Sequence, residues 1–215
     1  MDAASQSTPA ELAARFRALA DGWQRATLVS SDMAEIMMHP DYQRIVGMGP
    51  AALPLILEDL AREGHQWFWA LVAIAGEDPA ADTETFEEAR RIWLEWGRTR
   101  GRAPEFRPKT SAELAARFRA LADGWKNDTM YSSMVRDTIM HQDYQMIIGM
   151  GPAALPLIFE DLATGGGNWW YWALAAITGE NPAEGADTFA GAREVWLGWG
   201  EAHGFRPGAR PEQAL

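Results

Sequence analysis

His39, Asp41 and Tyr42 form a short polar group in H-P-D-Y, and the group returns as His141, Asp143 and Tyr144 in H-Q-D-Y. An imidazole can shuttle protons near neutral pH and a neighbouring carboxylate can orient it, so these six residues are the candidates for acid–base catalysis. The H-x-D spacing is not a helical i, i+4 pair, and no nucleophile accompanies the histidine at fixed spacing. Ser30, Ser31, Ser132 and Ser133 are hydroxyls that folding could bring near, but serines ahead of an apolar run also start helices. Asp41, just after Pro40, suits the first turn of a helix, where a carboxylate is favourable with the dipole. A hydrolase using His39 and His141 is therefore an alternative rather than the leading reading.

Other site chemistries find less support. The remaining histidines, His65 and His203, do not occupy corresponding positions, and Glu58-Asp59 and Glu160-Asp161 are adjacent carboxylates that point apart on a helix. Neither set supplies the ligands of a structural zinc or a calcium loop. Nothing fixes a carboxylate pair at the separation a glycosidase needs. Gly47-Met48-Gly49 has no strand before it and no lysine after it, so it is not a phosphate loop. The chain has no cysteine, which excludes disulfides, thiol catalysis and thiolate metal sites. The expectation is no metal and no cofactor.

The elements that must position these residues come in two copies. ELAARFRALADGW from Glu11 to Trp23 is repeated letter for letter from Glu113 to Trp125, and GMGPAALPLI from Gly47 is repeated from Gly149. One extra residue enters the second copy between Ala163 and Trp170, after which Trp67, Trp69, Gly76, Trp93 and Trp96 match Trp170, Trp172, Gly179, Trp196 and Trp199. A repeat near a hundred residues is too long for one solenoid unit and fits two tandem helical domains, 1–102 and 103–215.

Each copy reads as all-α. Thr8, Pro9 and Glu11 supply a capping box, repeated by Thr110 and Glu113, ahead of a stripe of Leu12, Phe16, Leu19 and Trp23. Ser30-Ser31 and Ser132-Ser133 read as starters of the next segment. A short helix should begin at Pro40 and end at Gly47. Gly49-Pro50 then stops one helix and starts another over Ala51 to Ala61, with Pro54 in its first turns. The uncharged stretches Trp67 to Ala75 and Trp170 to Thr178 are apolar on every side and must be buried on every side. A last helix carries Phe86, Ala89, Trp93 and Trp96, mirrored by Phe189, Ala192, Trp196 and Trp199, with Gly97 and Gly200 closing it. No run of alternating β-branched residues argues for a strand.

Two resemblances follow from these residues. The short helix, the glycine turn, AALPLILEDL and the alanine-rich helix resemble a HEAT-type helical hairpin, which implies helix stacking and a protein-binding role. The series H-x-D-Y-Q, I-[VI]-G-M-G-P-A-A-L-P-L-I, W-[FY]-W-A-L, G-E-[DN]-P and W-L-x-W-G resembles an uncharacterised family of small bacterial all-helical proteins. That resemblance implies a single helical unit, here doubled, and implies no activity, cofactor or catalytic residue.

Eleven tryptophans and a net charge of -11 bear on partners. Most tryptophans fall on buried stripes, and each buried indole N–H needs an acceptor. Trp69 and Trp172 cannot face the same way as Trp67 and Trp170, so they are the candidates for a partner-binding groove. Trp169, present only in the second copy beside Gly165-Gly166-Gly167, joins them. The acidic balance argues against nucleic acid, because phosphate neutralisation supplies most of that affinity. Arg98, Arg100, Arg102, Arg107 and Lys109 cluster at the joint between copies and read as a solvated linker. The N-terminal MDAASQSTPAE lacks the features of a secretory signal, and the longest apolar run is short of the ~20 residues of a membrane span. The reading is a cytoplasmic, non-enzymatic protein-interaction module with a protein partner, neither nucleic acid nor membrane, and two halves imitating a dimer. An acidic antitoxin or immunity-like neutraliser is the alternative.

Overall fold

A computed structural model describes residues 8–99, 110–132, 134–165 and 169–205. The described residues are helical with no strand. The first copy contains α1 (Pro9–Thr27), α2 (Met33–Met38), α3 (Pro40–Gly47), α4 (Leu53–Arg62), α5 (Phe68–Ala75) and α6 (Phe86–Thr99). The second contains α7 (Ser111–Thr129), α8 (Val135–Ile139), α9 (Gln142–Gly149), α10 (Leu155–Ala163), α11 (Trp170–Thr178) and α12 (Phe189–Ala202). The joint between 102 and 103, Arg100 to Lys109, Ser133, Gly166 and Gly167 lie outside the described residues.

Local chemistry sets most boundaries. Thr8 and Glu11 cap each other reciprocally at the start of α1. In α7 Thr110 accepts from the Glu113 N–H, and Ser111 stands where α1 has Pro9. Asp32, rather than Ser30 or Ser31, caps α2 by accepting from Ala34 N–H at 2.9 Å. Ser30 instead bonds Glu35 at 2.6 Å. The helix expected from Ala51 begins at Leu53, after a 3₁₀ turn over Gly49–Ala52. Proline fits only a first turn, so Pro54 sets the α start just ahead of itself. Gly97 and Gly200 do not close their helices, which continue to Thr99 and Ala202. Their missing Cβ atoms admit neighbours instead: a Cβ would lie 2.6 Å from Leu57 Cδ1 at Gly97 and 2.8 Å from Phe159 Cε1 at Gly200.

The copies share one core. The buried residues of both halves form a single continuous cluster. The central helix α5 packs against α9 of the other copy, and α11 packs against α3. Gly47 makes the second crossing possible, because a Cβ there would overlap the Ala176 carbonyl, whose carbon lies 2.6 Å away. Gly149 does the same for the first, with the Ala73 carbonyl carbon at 2.5 Å. Gly49 and Gly151 face each other, each too close for a side chain.

Reciprocity of this kind marks an isologous contact. At its centre the buried amides of Gln43 and Gln145 bond each other in both directions at 3.1 Å. Each also donates to the end of a short helix, Gln43 to Met37 O and Gln145 to Ile139 O. Arg15 and Arg117 reach the left-handed C-caps of the opposite copies, Gly179 and Gly76. A cation there complements the helix dipole, and burial lowers the Arg117 guanidinium from its ordinary value.

Candidate partner-binding surface

The H-x-D-Y group holds helices together. His39 is the N-cap of α3, its Nδ1 accepting from Asp41 N–H at 3.2 Å, and His141 does the same for Asp143 at 3.2 Å. The Nδ1 lone pair is therefore engaged, and no serine or threonine hydroxyl bonds either imidazole among the described residues. Asp41 bonds Arg44 at 3.2 Å and lies against Gly22, where a Cβ would be 2.6 Å from its carboxylate. Asp143 packs on Gly124 in the same way. These glycines let α1 and α7 approach the capped helices.

Tyr42 and Tyr144 are fully buried and bracket the starts of the central helices. The Tyr42 hydroxyl accepts from Ala70 N–H at 3.0 Å and donates to Gln66 O at 3.4 Å. Tyr144 accepts from Ala173 N–H at 3.0 Å and donates to Trp169 O. Burial pushes both phenols well above their ordinary range. Tyr42→Phe leaves a buried N–H without its acceptor and is expected to cost about 1–3 kcal/mol. The check is the urea midpoint at unchanged slope. Because the folded phenol is held neutral, stability contributed at both tyrosines is full below the ordinary value of about 10 and is lost as pH rises above it.

The tryptophans build the core. Trp67 sits among Trp23 at 4.7 Å, Tyr42 at 5.5 Å and Phe16 at 5.7 Å between ring centres, and Trp170 repeats the arrangement with Trp125, Tyr144 and Phe118. Trp69 and Trp172 are half-buried against this core. The Trp172 N–H lies 3.5 Å from Gln43 Oε1 across the junction, while the Trp69 N–H is buried with no partner among the described residues. Trp169 is also half-buried and meets Phe189 edge-on at 6.1 Å. Trp172 therefore helps join the copies.

Two carboxylates whose roles sequence reasoning passed over, buried Asp59 and half-buried Asp161, serve the central indoles. Asp59 accepts from Trp67 N–H at 3.0 Å and pairs with His65 Nδ1 at 2.8 Å, and Gln24 reaches the same nitrogen at 3.0 Å. Asp161 accepts from Trp170 N–H at 2.6 Å and from Lys126 at 2.9 Å. One anion thus satisfies each central indole, and the second copy matches it with lysine where the first uses histidine. A groove of about 350 Å³ lies beside Trp96 in the first copy, lined by Pro79, Arg91, Ile92 and Glu95. No cluster of three His, Asp or Glu side chains suited to a metal occurs among the described residues.

The unusual exposure lies elsewhere. Seven of nine exposed large apolar side chains among the described residues belong to two equivalent turns. Leu28 and Val29 lie in the α1–α2 turn with Met33 opening α2, and Met130, Tyr131 and Met134 lie in the α7–α8 turn with Val135 opening α8. Val29 is 95% and Tyr131 91% exposed. The starts of the two helices approach each other: Arg136 in α8 lies 3.7 Å from Asp32, the N-cap of α2, with Val135 and Met33 next to them in sequence. The Gln43–Gln145 pair holds the far ends of α2 and α8 at one point. No family model, no curated protein and no solved structure matches this chain. The surface is therefore judged on its own physics. Contiguous exposed apolar area on a folded protein marks an interaction site. Its sequence signal was two apolar residues placed directly after the end of a helix, Leu28-Val29 and Met130-Tyr131, where a solvated turn would be polar.

Proposed function

We propose that the chain is a non-enzymatic protein-interaction module, with the paired turns as its binding face. The observation that carries the reading is the concentration of exposed apolar side chains on two turns that the shared core brings together. The interlocked core favours one composite face over two independently tethered sites. The histidines, engaged as helix caps, lend no support to hydrolysis. A neutraliser of a basic toxic protein is the second reading, favoured by the net charge of -11. A cytoplasmic setting suits either; no single described helix is long and apolar enough to cross a membrane.

The test is a double variant, Leu28→Ser with Tyr131→Ser. Both side chains are exposed, so unfolding midpoints should move by no more than about 0.5 kcal/mol. In a tagged pull-down from the native organism, the intact chain should bring down a stoichiometric protein that the variant does not. Equal recovery by both would overturn the assignment of this face.

A further inference from the structure

We infer that the element received by this face is a cationic amphipathic helix of a partner protein, laid across both turns with its apolar side inward. The inference rests on the interaction reading above and adds the chemistry of the partner. Three of the seven exposed apolar side chains, Met33, Met130 and Met134, are methionines. Unbranched thioethers reshape to fit an apolar ridge, which suits a surface that must accept a curved helix face.

The rim selects charge. Asp32, Glu35, Asp128 and Asp137 are exposed around the turns, against Arg25 and Arg136, and Arg136 already faces Asp32. The whole chain reinforces this field with its net charge of -11. A cationic partner is steered in, whereas a second copy would bring the same acidic rim and an anionic lipid surface would be repelled. Backbone recognition by strand addition needs a sheet edge, and the described residues have no strand. Docking of an amphipathic helix on an apolar surface needs no sheet edge, and its apolar side matches the exposed side chains of the two turns. Because Asp32 caps α2 of one copy and Arg136 lies in α8 of the other, a helix crossing their contact touches both copies at once.

The experiment titrates the full chain with a synthetic Leu/Lys amphipathic helical peptide of about eighteen residues, long enough for roughly five turns. Methionine-methyl NMR and calorimetry follow the binding. The expected result is saturable 1:1 binding that weakens with salt and shifts the methyls of Met33, Met130 and Met134 but not those of buried Met48 and Met150. Leu28→Ser with Tyr131→Ser should reduce affinity by at least about tenfold, within the range of interface hot spots.

Equal binding of a scrambled peptide, equal binding of a Leu/Glu helix, or shifts confined to other methyls would each overturn the inference. So would patch-dependent self-association, or patch-dependent binding to vesicles containing phosphatidylserine, in the absence of peptide binding. If the peptide fails while the double variant still loses its partner in the pull-down, the interaction reading stands and the helix assignment falls. If neither responds to the substitutions, both fall.

Discussion

Gly149→Val is expected to destabilise the chain by about 3 kcal/mol or more, and combining it with Gly47→Val to leave the chain unfolded at 25 °C. Overpacking usually costs 1–3 kcal/mol because neighbouring side chains shift, and more when they cannot. Here the obstructing atoms are backbone carbonyls, Ala73 for Gly149 and Ala176 for Gly47, each inside a central helix whose side chains are buried or half-buried. Moving them means separating α5 from α9, or α11 from α3, and these contacts join the two copies. Stability of a domain is about 5–15 kcal/mol, so two such losses consume most of it. Gly198→Ala is the matched control. A Cβ at Gly198 meets nothing within 4 Å and its helix is regular, so alanine should stabilise by about 0.5–1 kcal/mol. Circular dichroism in urea measures all of these. Unchanged midpoints for Gly149→Val would mean that the close crossing is not a feature of the folded chain.

How much of this could be read in advance varies by kind of information. The short-range grammar was legible. Pro40 and Gly47 bound α3 as expected, and the uncharged run Trp170–Thr178 is α11. Those boundaries depend on caps and on composition within a few residues. Pairing was not legible. A helix apolar on every side announces that it is buried without saying by what, and the two copies offer α5 nearly identical partners in α3 and α9. The same degeneracy hid the meaning of Gly47 and Gly149, which read as helix ends while also serving as crossing points.

Asp59 and Asp161 show a different gap. Adjacent carboxylates on a helix look solvated, and only the indole eight or nine residues later demands an acceptor. The H-x-D-Y group was legible as a unit, and Asp41 as a first-turn carboxylate of α3, but its longer-range contacts were not. A histidine cap, a carboxylate against glycine and a tyrosine at the start of a distant helix depend on where α1 and α5 lie.

Separating the copies tests the same junction from the other side. Fragments 1–102 and 103–215, each expressed alone, are expected not to persist as folded monomers. Alone, the first fragment leaves Gln43 without its bonds to Gln145, and Gly47 and the α5 face that packs on α9 without their partners. An exposed apolar helix face opposes folding as a monomer. Two identical fragments can supply each other's missing surfaces, because the contact is reciprocal: glutamine would meet glutamine and glycine would meet glycine across a true twofold axis.

Each fragment should therefore be unfolded or homodimeric, with unfolding midpoints that rise with protein concentration, and an equimolar mixture should form a 1:1 complex. The joined chain replaces that bimolecular step with an intramolecular one at an effective concentration of order millimolar, so it should show no concentration dependence. Analytical ultracentrifugation with circular dichroism decides it. Two folded monomers that ignore each other at high concentration would mean that each copy completes its own core, and that the pairing of α5 with α9 and α11 with α3 is dispensable. A homodimer of either fragment would instead show that the duplicated chain reproduces within one polypeptide an assembly that a single copy can build alone.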